Sequence, residues 1–103
     1  MTPLAPGRIR HTVSFTLRDQ DAAPDFLAAA QELAAIPGVE AFELLDEVSP
    51  KNGYRYGISM EFAGRDAYDT YNSHPDHVRF VEERWLPEVA DFLEIDYACR
   101  TTA

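Results

Sequence analysis

Cysteine is nearly absent from this chain: Cys99 is the only one in 103 residues. A single thiol cannot build an internal disulfide framework, and such scarcity fits a reducing compartment. Glycine is also sparse, with five residues and neither a GxGxxG nor a P-loop pattern, so phosphate-cradling glycine loops are missing. Basic side chains number nine against 18 acidic ones, for a net charge of −9. A surface that negative repels phosphate backbones and anionic headgroups, which argues against nucleic acid and membranes as partners. No apolar run approaches the roughly 18 residues of a membrane span, and no basic-then-apolar leader opens the chain. The expectation is a soluble cytoplasmic protein.

What is present is ordinary for a globular domain: 46% hydrophobic and 26% charged residues. At this length one domain can bury roughly two thirds of its unfolded surface without staples. Residues 1–7, with two prolines and a glycine, read as a flexible lead-in, and 8–103 as the single domain.

Ile9 to Leu17 alternates strictly. Ile9, His11, Val13, Phe15 and Leu17 share one face, and Arg10, Thr12, Ser14 and Thr16 the other, which predicts a strand with a histidine on its apolar side. Asp21 to Ala35 carries Phe26, Leu27, Ala30, Leu33 and Ala34 at helical spacing and is stopped by Pro37-Gly38. Val39 to Val48 is a less regular strand, and Ser49-Pro50-Lys51-Asn52-Gly53 a hairpin loop. Tyr54 to Phe62 alternates again. Arg65 to Ser73 and Pro75 to about Glu88 read as two helices, and 91–99 as a last strand. The order β-α-β-β-α-α-β is a split βαβ arrangement of the ferredoxin-like kind, an α+β fold with helices on one face of a four-stranded antiparallel sheet. The open face, with Arg10, Thr12, Ser14, Thr16, Arg55, Ser59 and Glu61, is too polar for a core and too weakly charged for an ordinary surface. A second copy packed sheet to sheet accounts for it.

The segment Tyr71-Asn72-Ser73-His74-Pro75-Asp76-His77-Val78 holds two of the three histidines. Proline suits the first turn of a helix and disrupts its interior, so one helix should end near Ser73 and the next begin at Pro75. Tyr71, leaving the first helix, and His77, in the first turn of the second, can then converge as an acid–base pair. A neutral imidazole there serves as a general base, helped by the positive helix end, which lowers its pKa. Tyr71 serves as a phenol donor to a developing oxyanion. His74 is expected to serve the helix junction. A competing metal site would combine His74 and His77 with His11 or Asp96, but HxxH across a proline-marked helix start is a weak ligand pattern. No metal or organic cofactor is expected.

In this order and spacing, Ile9-Arg10-His11-Thr12-Val13-Ser14-Phe15, Ser49-Pro50-Lys51-Asn52 with Tyr54, His74-Pro75-Asp76-His77-Val78 and Asp96-Tyr97 resemble the stress-responsive α/β-barrel (Dabb) family over nearly the whole length. The resemblance implies a homodimeric α/β barrel of ferredoxin-like protomers. It also implies a distant likeness to olivetolic acid cyclase, a plant branch that closes a linear polyketide thioester by aldol condensation without a cofactor. That enzyme's reactive tyrosine and histidine fall on Tyr71 and His77, and its first-strand histidine on His11. The chain departs from it at Tyr56, where the cyclase has a histidine, and at Ala29, where it has a pocket tyrosine. The expected pocket is lined by His11, Val13, Phe15, Phe26, Tyr56 and Asp96, the last able to orient a histidine. Two functions stay open: a cofactor-free cyclase or lyase acting on a small, apolar or carbonyl-containing compound, and a non-catalytic small-ligand-binding or stress-associated dimer.

Overall fold

Alternation in the sequence becomes a four-stranded antiparallel sheet in the computed structural model, which describes residues 3–100. The strands are β1 (Ile9–Leu17), β2 (Glu40–Asp46), β3 (Tyr56–Phe62) and β4 (Val89–Ala98), in the order β2-β3-β1-β4. β1 is central, paired with β3 through Ile9↔Phe62 to Phe15↔Tyr56 and with β4 through Ile9↔Ala98 to Leu17↔Val89. The helices are α1 (Ala23–Gln31), α2 (Arg65–Ser73), α3 (Pro75–Phe80) and the short α4 (Leu86–Glu88). This is the expected ferredoxin-like α+β topology.

Several boundaries differ from the sequence expectation. The first helix is α-helical only over Ala23–Gln31, with 3₁₀ turns at Gln20–Ala22 and Glu32–Ala35. The predicted long second helix is interrupted by a π turn over Val81–Trp85. β3 begins at Tyr56, so Arg55 belongs to the loop, where its N–H bonds the Phe15 carbonyl at 3.0 Å. β2 is shorter than predicted at both ends, and its register shifts between Glu40 and Glu43, with Ala41 at φ 50 inside the bulge. Of the lead-in, Met1 and Thr2 lie outside the described residues, as do residues 101–103 of the predicted domain. Residues 5–8 form a turn in which the Arg8 N–H bonds the Ala5 carbonyl.

Even-numbered β1 side chains face away from the helices and odd-numbered ones toward them, as the strand's buried–half-buried alternation records. The core on the helix side is aromatic. Phe15 packs on Phe26 at 5.6 Å and Trp85 at 5.0 Å between ring centroids, and Phe62 on Tyr68 and Tyr71 at 5.0 and 5.1 Å. Arg84 ties the helices together, bonding Asp25 at 2.7 Å and Glu88 at 2.6 Å. The open face is more apolar than the first three strands imply. The register places Leu93, Ile95 and Tyr97 of β4 beside Ser14, Thr12 and Arg10, and all three are between 37 and 50% exposed.

One turn has a testable backbone requirement. Gly38 adopts φ 91 between the last 3₁₀ turn and β2, a region that costs an L-residue roughly 1–2 kcal/mol. Gly38→Ala should lower unfolding free energy by about that amount in urea titration; an unchanged midpoint would mean that the turn relaxes freely.

Candidate active site at the helix junction

The break between α2 and α3 positions the site. His74 sits between them in extended conformation (φ −64, ψ 135), and its Nδ1 accepts the Asp76 N–H at 3.1 Å. It caps α3, the junction role expected of it. Pro75 occupies the first turn, where its missing N–H costs nothing. The reversal turns His77 back over α2. A carbonyl oxygen can only accept, so the Asn72 carbonyl 3.0 Å from His77 Nδ1 requires the proton there. In the neutral ring, Nε2 then carries the lone pair. The His77 ring packs on Tyr71 with centroids 4.4 Å apart.

Burial is the leading cause of a His77 pKa below the ordinary histidine value. The neighbouring His11 adds in the same direction, while the Asn72 carbonyl and the Glu94 charge oppose it. The expectation put the cause in the positive helix end; desolvation leads instead. Burial also pushes the Tyr71 phenol up, with the Glu94 charge adding to it, so Tyr71 keeps its proton and remains a donor. Tyr71 itself is only 2% exposed.

His11 approaches from the sheet. It is buried, and its Nδ1 lies 2.6 Å from Asp96 Oδ1 on the paired position of β4. Tyr68 donates its hydroxyl to Asp96 Oδ2 at 2.7 Å and lies 3.0 Å from the same His11 nitrogen. Burial first, then the bond to Asp96 and the Asp96 and Glu94 charges, raise the Tyr68 pKa. Asp96 therefore fixes the His11 ring with Nδ1–H donated to it and Nε2 directed to the other side, 3.9 Å from Glu94 Oε2.

These groups border a cavity of about 270 Å³ between the sheet and the α3–π segment. His11, Val13, Tyr71 and His77 line it. Asp96 stands behind His11. Phe15 and Phe26 are fully buried against each other and Trp85, beneath the cavity and not in its wall. Tyr56 lies on Phe15, its hydroxyl donating to Gln20 at 3.1 Å, away from the site. Glu94, Asn72, Trp85 and Phe92 also line the cavity and were not singled out from the sequence. The signal for Glu94 was present: it shares strand parity with Asp96, hence the same sheet face. Among the described residues no three His, Cys, Asp or Glu side chains are arranged to hold a metal ion.

A family model for the stress responsive A/B barrel domain (Dabb) matches residues 9–99. The chain belongs to that family. Among solved structures, a Dabb-family protein with a ferredoxin-like fold from Mesorhizobium loti is 52% identical, with a TM-score of 0.88 over 92% of this chain and 99% of that one. A dimeric ferredoxin-like protein of unknown function from Thermobifida fusca is 24% identical, with a TM-score of 0.77 over 94% of this chain and 95% of that one. The hydroxynitrile lyase of Passiflora edulis is 17% identical, with a TM-score of 0.83 over 96% and 99%, a likeness of fold alone. No curated protein matches. No helix among the described residues of this Dabb protein is long and apolar enough to cross a membrane.

Proposed function

We propose that this Dabb protein is a homodimeric, cofactor-independent acid–base enzyme of cyclase or lyase type, acting on a small polyketide-like or otherwise activated carbonyl compound in the cytoplasm. The observation that carries this reading is the His77 tautomer: with Nδ1–H committed to the Asn72 carbonyl, the free nitrogen is the basic one, beside a protonated phenol. His77 Nε2 takes a proton from the carbon next to the carbonyl. Tyr71 hydrogen-bonds the enolate oxygen that results. In a cyclisation the carbanion attacks a second carbonyl of the same molecule, and the proton held by His77 returns to the new alkoxide. Atoms balance without an added reductant or oxidant. The apolar strip of Leu93, Ile95 and Tyr97 supports the dimer, since a row of exposed hydrophobic side chains on one sheet face gains from being covered.

The test is a screen of β-polyketide thioesters and related activated carbonyls, followed by a pH profile on whichever substrate turns over. Protonated His77 cannot act as a base, so kcat/KM should rise with pH through a single midpoint below about 6.5, the ordinary histidine value. Tyr71, with its pKa raised, should impose no loss before about pH 10. An acid limb centred at or above the ordinary value would remove His77 as the base. Saturable binding of these compounds in the cavity without turnover would favour the second reading, a ligand-binding dimer.

A further inference from the structure

Glu94 is a charged residue on the cavity whose chemistry the acid–base pair does not use. Register pairs it with Val13, which puts its side chain on the helix side of β4. On the helix side of β4, Phe92 stays half exposed although it packs on Trp85, and Glu94 stands at the cavity's open rim with about half its side chain exposed. Among the described residues no Lys or Arg pairs with it; His11 Nε2 lies 3.9 Å from Glu94 Oε2, and the Glu94 charge also reaches Tyr71 and His77. Asp96 receives the Nδ1–H of His11, so Nε2 of the neutral ring presents a lone pair. In that neutral form two acceptors face each other 3.9 Å apart, suitably spaced for one donor group to bridge. His77 Nε2 is a third acceptor on the same cavity.

We propose that Glu94, with His11 Nε2, selects ligands that carry a hydrogen-bond donor, an amine or a hydroxyl, beside an apolar body, and rejects those that carry a carboxylate at that end. A primary ammonium group offers three hydrogens and a positive charge, and so satisfies both acceptors and the unpaired carboxylate at once. A hydroxyl bridges without the charge. A carboxylate brings two more acceptors and a like charge to a site already short of donors. The inference rests on the cavity being a ligand site, as proposed above, but not on turnover.

The experiment is an NMR titration of the protein with phenethylamine, phenethyl alcohol and phenylacetate, three probes of one size, with shifts at His77 and Tyr71 locating them in the cavity. The expected order of affinity is amine, alcohol, carboxylate. Glu94→Gln should narrow the amine-to-carboxylate ratio by about tenfold, the scale of a unit charge acting over several Å at a protein surface, and Glu94→Lys should invert the order. Glu82→Gln, which removes the same charge from an exposed helix position, should move the ratio by less than about twofold. A ratio that Glu94→Gln leaves unchanged, or changes no more than Glu82→Gln does, would overturn the role of Glu94 while keeping the cavity as a ligand site. No probe shifting His77 or Tyr71 would overturn both.

Discussion

Replacing His77 with alanine should reduce turnover of a carbonyl substrate by about a hundredfold to ten-thousandfold, the usual cost of losing a general base. Tyr71→Phe should cost about a hundredfold to a thousandfold, the usual loss for one oxyanion donor. The two substitutions test different things. Tyr71→Phe keeps the ring that packs on Phe62 and His77 and removes only the hydroxyl, so its effect should fall on kcat with unfolding unchanged. His77→Ala removes the ring covering Tyr71, so His77→Gln belongs beside it: the amide restores volume and a donor to Asn72 but no base. Because the two groups act on one proton-transfer step, the double variant should be little worse than His77→Ala alone. Activity surviving both changes would move the chemistry to the His11–Asp96 side of the cavity.

Ile95→Glu should convert the protein from dimer to monomer at micromolar concentration, read as mass by light scattering. Ile95 sits between Leu93 and Tyr97 on the open sheet face, opposite Thr12 of β1. In an isolated protomer a glutamate there stays in water and costs little. In a sheet-to-sheet dimer it would be buried without a counter-charge, and a desolvated unpaired charge is expensive. A wild-type protein that is monomeric at that concentration, or an Ile95→Glu variant that stays dimeric, would move the interface elsewhere.

The parts of this molecule visible in its sequence are those with a local cause. β1 declares itself because each residue from Ile9 to Leu17 alternates, and the same parity places His11 on the helix side. The α2–α3 break is visible because proline acts on its own immediate backbone. The π turn at Val81–Trp85 is not, since one extra residue in a turn leaves no mark that a 3.6-residue period can resolve. Parity alone also failed to tell cavity wall from filled core. Phe15 and His11 share a face, yet Phe15 is covered by Phe26 and Trp85 while His11 meets the opening. Which one is covered depends on how far the helices reach across the sheet, a fact held by no single segment. Glu94 was missed for the same reason, because a glutamate on an edge strand is unremarkable until the cavity beside it is seen.

The partner that holds His77 in place is a main-chain carbonyl, that of Asn72. Every amino acid supplies the same oxygen, so the orientation of the base does not depend on what side chain occupies position 72. The cavity wall and the machinery that aims the imidazole are thus separable in sequence. Substitutions can reshape what the pocket admits without turning the base away, a favourable arrangement for diversification within one scaffold. The vulnerable element is the count of residues between Asn72 and His77. One residue added or lost between Pro75 and His77 would rotate the ring by about 100° about the α3 axis, given 3.6 residues per turn, and no change of side chain could bring it back.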